Sequence, residues 1–252
     1  MNTLIKRFLL LTLSIEGICW GLLVILGQYH ISLNDYPILM IPYILGGLSP
    51  TIASYIALKK CGKIDGIKDW LGNIFDVKQS IWKYLLVCIL AILYILPQII
   101  VNGYEAGEPL IMLLPILCMT LIGGGMEEAG WRYVLQPELE KKYSFTVATL
   151  IVAAIWWLWH APLFIIPGVH QYGKNYIAFA ISTLGLTFAM AVVRRLTNSV
   201  WLCVLLHCLI NALSAIFIIR DSIIGNIVTT AIDIGVAYLL LIFVRKINKN
   251  IQ

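Results

Sequence analysis

Long apolar runs constrain this chain more than any other feature. A transmembrane helix needs roughly 20 mostly apolar residues, and eight runs approach or exceed that length. They cover residues 8–27, 38–58, 84–101, 109–131, 146–167, 176–193, 199–219 and 226–244. The runs are continuous and do not alternate with period two, which favours helices over the strands of a membrane barrel. The sequence therefore predicts an all-α, polytopic membrane helix bundle of about eight spans, folded as one domain over residues 1–252.

The composition supports a membrane protein. Hydrophobic residues make up 60% of the chain and charged residues only 12%, whereas soluble domains carry about 25% charged residues. These values exclude a soluble globule, a disordered chain and a coiled coil. The six cysteines fall mostly inside apolar runs and match neither a disulfide framework nor a paired-cysteine zinc motif.

Basic residues predict the orientation in the membrane. Only Lys174 and Arg220, of 18 basic residues, fall between the predicted spans on one side. The other side receives Lys6, Arg7, Lys59, Lys60, Lys63, Lys68, Lys78, Lys83, Arg132, Lys141, Lys142, Arg194, Arg195, Arg245, Lys246 and Lys249. Because cytoplasmic loops carry an excess of Lys and Arg, we expect an integral protein of a bacterial cytoplasmic membrane with both termini in the cytoplasm. The net charge of +5 needs no nucleic-acid partner.

Ionisable side chains inside a membrane span are costly and mark candidate functional positions. The candidates are Glu16, Glu127, Glu128, His160 and His207, with Arg132 at a span end and Asn211 as a buried amide. On a helix Glu128 and Arg132 lie four residues apart and can pair, whereas Glu127 is rotated by about 100° and lacks that partner. Each residue alone fits a structural hydrogen bond, but their convergence predicts a functional site. Glu16 is equally consistent with a core carboxyl and with a cavity-lining residue.

Three short motifs follow one another on predicted spans. They are Glu127-Glu128-Ala129-Gly130-Trp131-Arg132, Trp156-Trp157-Leu158-Trp159-His160 and His207-Cys208-Leu209-Ile210-Asn211. This order resembles the CPBP family of membrane-embedded proteases, which includes CAAX prenyl endopeptidases and bacteriocin-processing or self-immunity proteins. That family shows Glu-Glu-x-x-x-Arg, Phe-x-x-x-His and His-x-x-x-Asn on successive helices. The first and third motifs match in full, and Trp156 replaces the phenylalanine of the second.

The resemblance implies a CAAX-protease-like domain whose motif-bearing core covers about 109–219 and whose polar cavity opens to the cytoplasm. It also implies an endopeptidase in which Glu127 and His160 activate water while His207 and Asn211 stabilise the oxyanion. Glu128, Arg132 and Trp156 are then supporting residues. The expected substrate is a lipidated, leader-type or membrane-associated peptide, and no cofactor is expected.

Other functions remain open on the sequence alone. Glu127, His160 and His207 also suit a zinc site with an open position for water. The same polar residues fit an ion-coupled transporter, although no internal repeat of the kind found in transporters is seen. A non-catalytic immunity or binding protein is a further alternative.

Overall fold

The computed structural model describes residues 2–220 and 222–250, with side chains up to residue 246, and it is predominantly helical. Its helices are α1 (Thr3–Gln28), α2 (Met40–Gly47), α3 (Ser49–Lys60), α4 (Ile67–Ile74), α5 (Ile81–Asn102), α6 (Leu113–Ile122), α7 (Glu128–Gly130), α8 (Gln136–Glu140), α9 (Phe145–Trp159), α10 (Tyr176–Thr197), α11 (Val200–Ile216) and α12 (Ile223–Asn250). Two short strands, β1 (Tyr104–Ala106) and β2 (Phe217–Ile219), pair antiparallel. The predicted all-α membrane bundle is thereby confirmed as a class.

Five helical stretches are long and apolar enough to cross a membrane, and a sixth results if the bent pair α2–α3 counts as one span. That pair is bent by 47°. Helices α9 and α11 are apolar but have only 15 and 17 residues, below the usual length of a span. Each predicted run contains a helix. Among the described residues, however, only five or six helical segments are long enough to cross a membrane, so the count of eight spans stays a prediction.

The fourth predicted span is a broken helix. After α6 the backbone passes through Gly124, whose φ of 155° is accessible mainly to glycine. A 3₁₀ turn follows at Gly125–Glu127, then α7, then a π-helical stretch at Trp131–Leu135 that runs into α8. Single π turns inside helices occur frequently at functional sites. This irregular segment carries the first of the three motifs.

The connections between helices collect at two opposite ends. At one end Arg7 donates a hydrogen bond to the Lys60 carbonyl (3.0 Å), and Lys83 donates to the Thr197 carbonyl (3.2 Å). We refer to this as the basic end. At the other end the Leu33 amide donates to the Pro167 carbonyl (3.0 Å), and β1 pairs with β2. We refer to this as the loop end.

The predicted distribution of basic residues needs one correction. Arg132 lies inside the bundle, fully buried, and not at a membrane surface, because its guanidinium pairs with the carboxylate of Glu128. The side chain of Lys249 lies outside the described residues. Lys174 and Arg220 are at the loop end, as predicted.

A close helix contact holds the motif-bearing segment against α1 and α3. A Cβ placed on Gly130 would lie 2.6 Å from Cβ of Pro50 and 2.9 Å from Cζ of Phe8. Such distances are below ordinary van der Waals contact, so only glycine allows the two backbones to approach this closely. Small residues serve the same purpose at many membrane helix contacts.

We expect Gly130→Ala to lower the stability of the folded protein. Overpacking costs about 1–3 kcal/mol, and the rigid Pro50 ring cannot turn aside, whereas alanine gains only about 1 kcal/mol over glycine in a helix. The midpoint of thermal unfolding in detergent measures the effect. The matched control is Gly235→Ala, since a Cβ there meets nothing within 4 Å. Equal midpoints for the two variants would contradict this packing.

Candidate active site

A cavity of about 580 Å³ brings the predicted site residues together. Its wall includes Glu127 from the 3₁₀ turn, His160 from the end of α9, and His207 and Asn211 from α11. The cavity extends to the loop end, where Arg220 also lines it. The exposed part of the cavity wall therefore lies at the end of the bundle opposite the basic end.

The carboxylate of Glu127 is held on one side only. Its Oε2 accepts hydrogen bonds from Nε1 of Trp156 (2.7 Å) and from Nε1 of Trp131 (3.4 Å). Among the described residues no hydrogen-bond donor reaches its Oε1. The side chain is largely buried, with 8% of its surface exposed. One oxygen is therefore fixed in place, and the other is available to a molecule bound in the cavity.

The neighbouring Glu128 has a different environment, as its predicted pairing with Arg132 requires. Its Oε2 lies 3.1 Å from Nη1 of Arg132, and its Oε1 lies 2.9 Å from Nδ1 of His207. The contact with Arg132 is an ion pair whose N–H is not aligned on the oxygen. Glu128 and Arg132 are both fully buried, so each charge depends on the other for compensation. The pairing of Glu128 with His207 was not predicted from the sequence.

The hydrogen bonds of the two histidines define which ring nitrogen is available. Nδ1 of His160 lies 2.7 Å from the carbonyl oxygen of Trp156, which can only accept a hydrogen bond. The proton of a neutral His160 is therefore on Nδ1, and Nε2 is left as an acceptor. Nδ1 of His207 donates in the same way to Glu128. In both rings Nε2 is the atom free for chemistry.

Gly124 allows Asn211 and His207 to approach the start of the broken segment. A Cβ at this position would collide with Nδ2 of Asn211 and would lie 3.1 Å from Nε2 of His207. The two nitrogens therefore lie beside the same short stretch of backbone. Two nitrogens that can donate hydrogen bonds thus lie close to the backbone that leads into Glu127.

Trp156 connects these groups. Its indole N–H holds Glu127, its carbonyl accepts from His160, and its ring lies edge-on to the ring of His207 at 5.5 Å between centroids. The guanidinium of Arg132 lies over the same ring, 4.9 Å from its centroid. A phenylalanine at this position would keep the ring contacts but would lack the hydrogen bond to Glu127.

Two residues were not identified from the sequence: one contacts a site residue, and the other is a buried carboxylate. Trp131 donates to Glu127, and its position four residues further along a helix was the available signal. Asp233 on α12 is only 1% exposed, and neither carboxylate oxygen has a hydrogen-bond partner among the described residues. Its signal was a lone carboxylate inside the apolar run 226–244. Glu16 is buried on α1 and does not belong to the cavity wall.

No group of three or more His, Cys, Asp and Glu side chains is placed to hold a metal ion within the part of the chain that the structure describes. Glu127, His160 and His207 line one cavity, but they do not form such a group. The six cysteines are all free.

Comparison with known proteins agrees with the three motifs. The profile of the Rce1-like family, described as Type II CAAX prenyl endopeptidase Rce1-like, matches residues 109–213. A CAAX prenyl protease 2 from Methanococcus maripaludis is 25% identical over 256 residues, covering 93% of this chain and 90% of its own length. The resemblance to the CPBP family is confirmed. The matches support a membrane protease and cover every residue of the CPBP-like motifs.

We expect Glu128→Gln to destabilise the protein strongly. Breaking a buried ion pair typically costs about 3–5 kcal/mol, because the partner charge of Arg132 is left uncompensated. Thermal unfolding in detergent and the yield of folded protein measure the loss. The control Glu105→Gln removes a carboxylate that pairs with Arg220 at 3.5 Å on the surface, where a pair contributes about 0–1 kcal/mol.

A double variant separates charge compensation from packing. Glu128→Gln combined with Arg132→Met removes both charges and should recover part of the lost stability. If the double variant is no more stable than Glu128→Gln alone, the buried charge of Arg132 is not the cause.

Proposed function

We propose that this protein is a membrane-embedded endopeptidase that hydrolyses a peptide bond of a lipidated, leader-type or membrane-associated peptide. The observation that carries the proposal is the way the two carboxylate oxygens of Glu127 are held. One carboxylate oxygen is anchored by two indole N–H groups, and the other is left available in a cavity that also holds His160, His207 and Asn211. A general base needs this combination of fixed position and accessible oxygen.

In the proposed reaction Glu127 removes a proton from a water molecule that His160 orients through Nε2. The water oxygen attacks the carbonyl carbon of the scissile bond, and the carbonyl oxygen becomes an oxyanion. Nδ2 of Asn211 and Nε2 of His207 donate hydrogen bonds to it. The C–N bond then breaks, and Glu127 returns the proton to the departing amine.

The charged residues behind the site support this role for His207. A His207 ring that donates from Nε2 while Nδ1 donates to Glu128 carries protons on both nitrogens and is a cation. Two cations, His207 and Arg132, then face Glu128, and the ionised carboxylate of Glu127 in the same cavity supplies the second negative charge. Preorganised donors of this type are typically worth a few kcal/mol of transition-state stabilisation each.

The named relatives support the proposed activity and suggest one substrate type. The matched family is described as a prenyl endopeptidase, and the relative from Methanococcus maripaludis as a CAAX prenyl protease. A prenylated CAAX peptide is therefore the first substrate to test. The expected domain, with its motif-bearing core at about 109–219, overlaps the matched residues 109–213.

A zinc-dependent protease is the second candidate, because one observation favours it. Both histidines use Nδ1 for a hydrogen bond to an oxygen atom and leave Nε2 free, which is how zinc-binding histidines are usually oriented. Glu127, His160 and His207 would then have to move closer together to act as ligands, because in this structure they do not form a metal-binding group. The metal-free reaction remains our preferred version, because Asn211 beside His207 suits an oxyanion site.

We expect Glu127→Gln to abolish hydrolysis while the protein stays folded, because glutamine keeps the shape of the side chain but cannot take a proton. The assay is cleavage of a quenched fluorescent prenylated CAAX peptide by purified protein. Glu140→Gln, on α8 at the basic end, is the matched control and should retain activity. A folded Glu127→Gln variant with near-normal turnover would exclude Glu127 as the base. If cells that produce the folded Glu127→Gln variant also lose the protein's biological effect, that loss would argue against a non-catalytic binding protein, because binding alone does not need a base.

The metal-free and zinc mechanisms differ in metal content. We expect active, detergent-purified protein to hold less than one zinc per chain and to keep its activity after exhaustive chelation. Asn211→Ala should lower turnover by about 10²–10³ without changing metal content, by analogy with the loss of one oxyanion donor. One tightly bound zinc per chain, lost with activity and restored with it, would instead establish the zinc mechanism.

A further inference from the structure

The cavity has its mouth at the loop end. Beyond the candidate catalytic residues, its wall continues to Glu108 after β1, to His170 and Lys174 between α9 and α10, and to Arg220 after β2. These three connections lie at one end of the helices, where β1 and β2 pair and the Gly107 amide donates to the Ile216 carbonyl (2.9 Å). A peptide that reaches Glu127 through this cavity therefore passes the loop end.

Side chains between the site and the basic end are closely packed. Arg132 lies directly behind Trp156, and no part of it is exposed to solvent. Further side chains from several helices are equally buried in this layer, namely Trp131, Val134, Leu135, Met190, Val193, Leu202 and Val204. The layer separates the cavity from the basic end.

The length of helix α10 can be compared with the thickness of the membrane. Lys174 lies two residues before its first residue, and Arg194 and Arg195 lie in its last turn. The helix has 22 residues, so the two ends are about 33 Å apart at 1.5 Å per residue, which is about the thickness of the hydrocarbon core. The ends of α10 therefore lie at opposite membrane surfaces.

We infer that the cavity opens on the non-cytoplasmic face of the membrane and admits a peptide segment exposed on that face. Chains place their Lys and Arg on the cytoplasmic side, and the basic end carries nearly all of them, whereas the loop end has two. The basic end is thus cytoplasmic, and the mouth at the loop end faces outward. This inference replaces the expected cytoplasmic opening. Only its statement about the substrate rests on the proposed function.

Labelling of single cysteines in intact bacterial cells tests the orientation without any measurement of activity. In a chain whose native cysteines are replaced by serine or alanine, Tyr172→Cys places a thiol in the exposed connection near the mouth. Ser214→Cys places one in the cavity wall. The matched control is Lys142→Cys, between α8 and α9 at the basic end. The reagents are a charged, membrane-impermeant maleimide and, for Ser214→Cys, a small impermeant thiosulfonate.

We expect Tyr172→Cys and Ser214→Cys to react in intact cells, and Lys142→Cys to react only after the cells are permeabilised. Protection of Tyr172→Cys or Ser214→Cys in intact cells would overturn the inference, as would reaction of Lys142→Cys. A green fluorescent protein fused to the C-terminus of the unaltered chain gives an independent reading. Fluorescence places the C-terminus in the cytoplasm, and a full-length but dark fusion would overturn the inference. Because these measurements need no catalysis, an outward mouth with no peptidase activity would count against the proposed function alone.

Discussion

The architecture of the candidate site depends on one buried carboxylate. Glu128 is shared between Arg132 and His207, and it joins the broken segment after Gly124 to α11. In a lipid-surrounded bundle an uncompensated charge at this position would cost several kcal/mol, a large part of the 5–15 kcal/mol that stabilises a typical domain. The same contacts orient the ring of His207 and hold the guanidinium over Trp156. Stability and site geometry thus depend on the same atoms.

Trp156 extends this arrangement from the structural charges to the proposed base. Its ring contacts Arg132 and His207, while its indole N–H holds one oxygen of Glu127. A phenyl ring cannot donate that hydrogen bond. The departure from the CPBP pattern at this position therefore adds a polar contact to the site and preserves the aromatic packing.

The irregular backbone around Glu127 is consistent with a position beside a cavity. Lipid cannot satisfy free backbone groups, so non-helical backbone at membrane depth occurs where protein or a polar cavity surrounds it. Gly124 makes the change of direction possible, and its lack of a side chain brings Asn211 and His207 close. If this segment were a continuous helix, the backbone would not change direction before Glu127 and Glu128. Asn211 and His207 would then not approach it as closely.

The sequence by itself determined the features that depend on local spacing. Apolar runs predicted the helices, and four-residue spacing predicted the pairing of Glu128 with Arg132. The clustering of basic residues distinguished the two ends of the bundle, since it depends only on where charges fall between runs. The three motifs predicted the CPBP resemblance because their residues and order are visible without a fold.

Tertiary structure alone decided how distant residues meet. It showed that His207 binds Glu128, that Trp156 holds Glu127, and that the cavity mouth lies opposite the basic end. It also placed Arg132 inside the bundle, although its neighbours in sequence suggested a span end. Hydrogen bonds between residues 29 or 79 positions apart depend on helix packing and on side-chain rotation. Neither is encoded in the spacing along one helix, which is why the sequence identified the residues of the site but not their contacts.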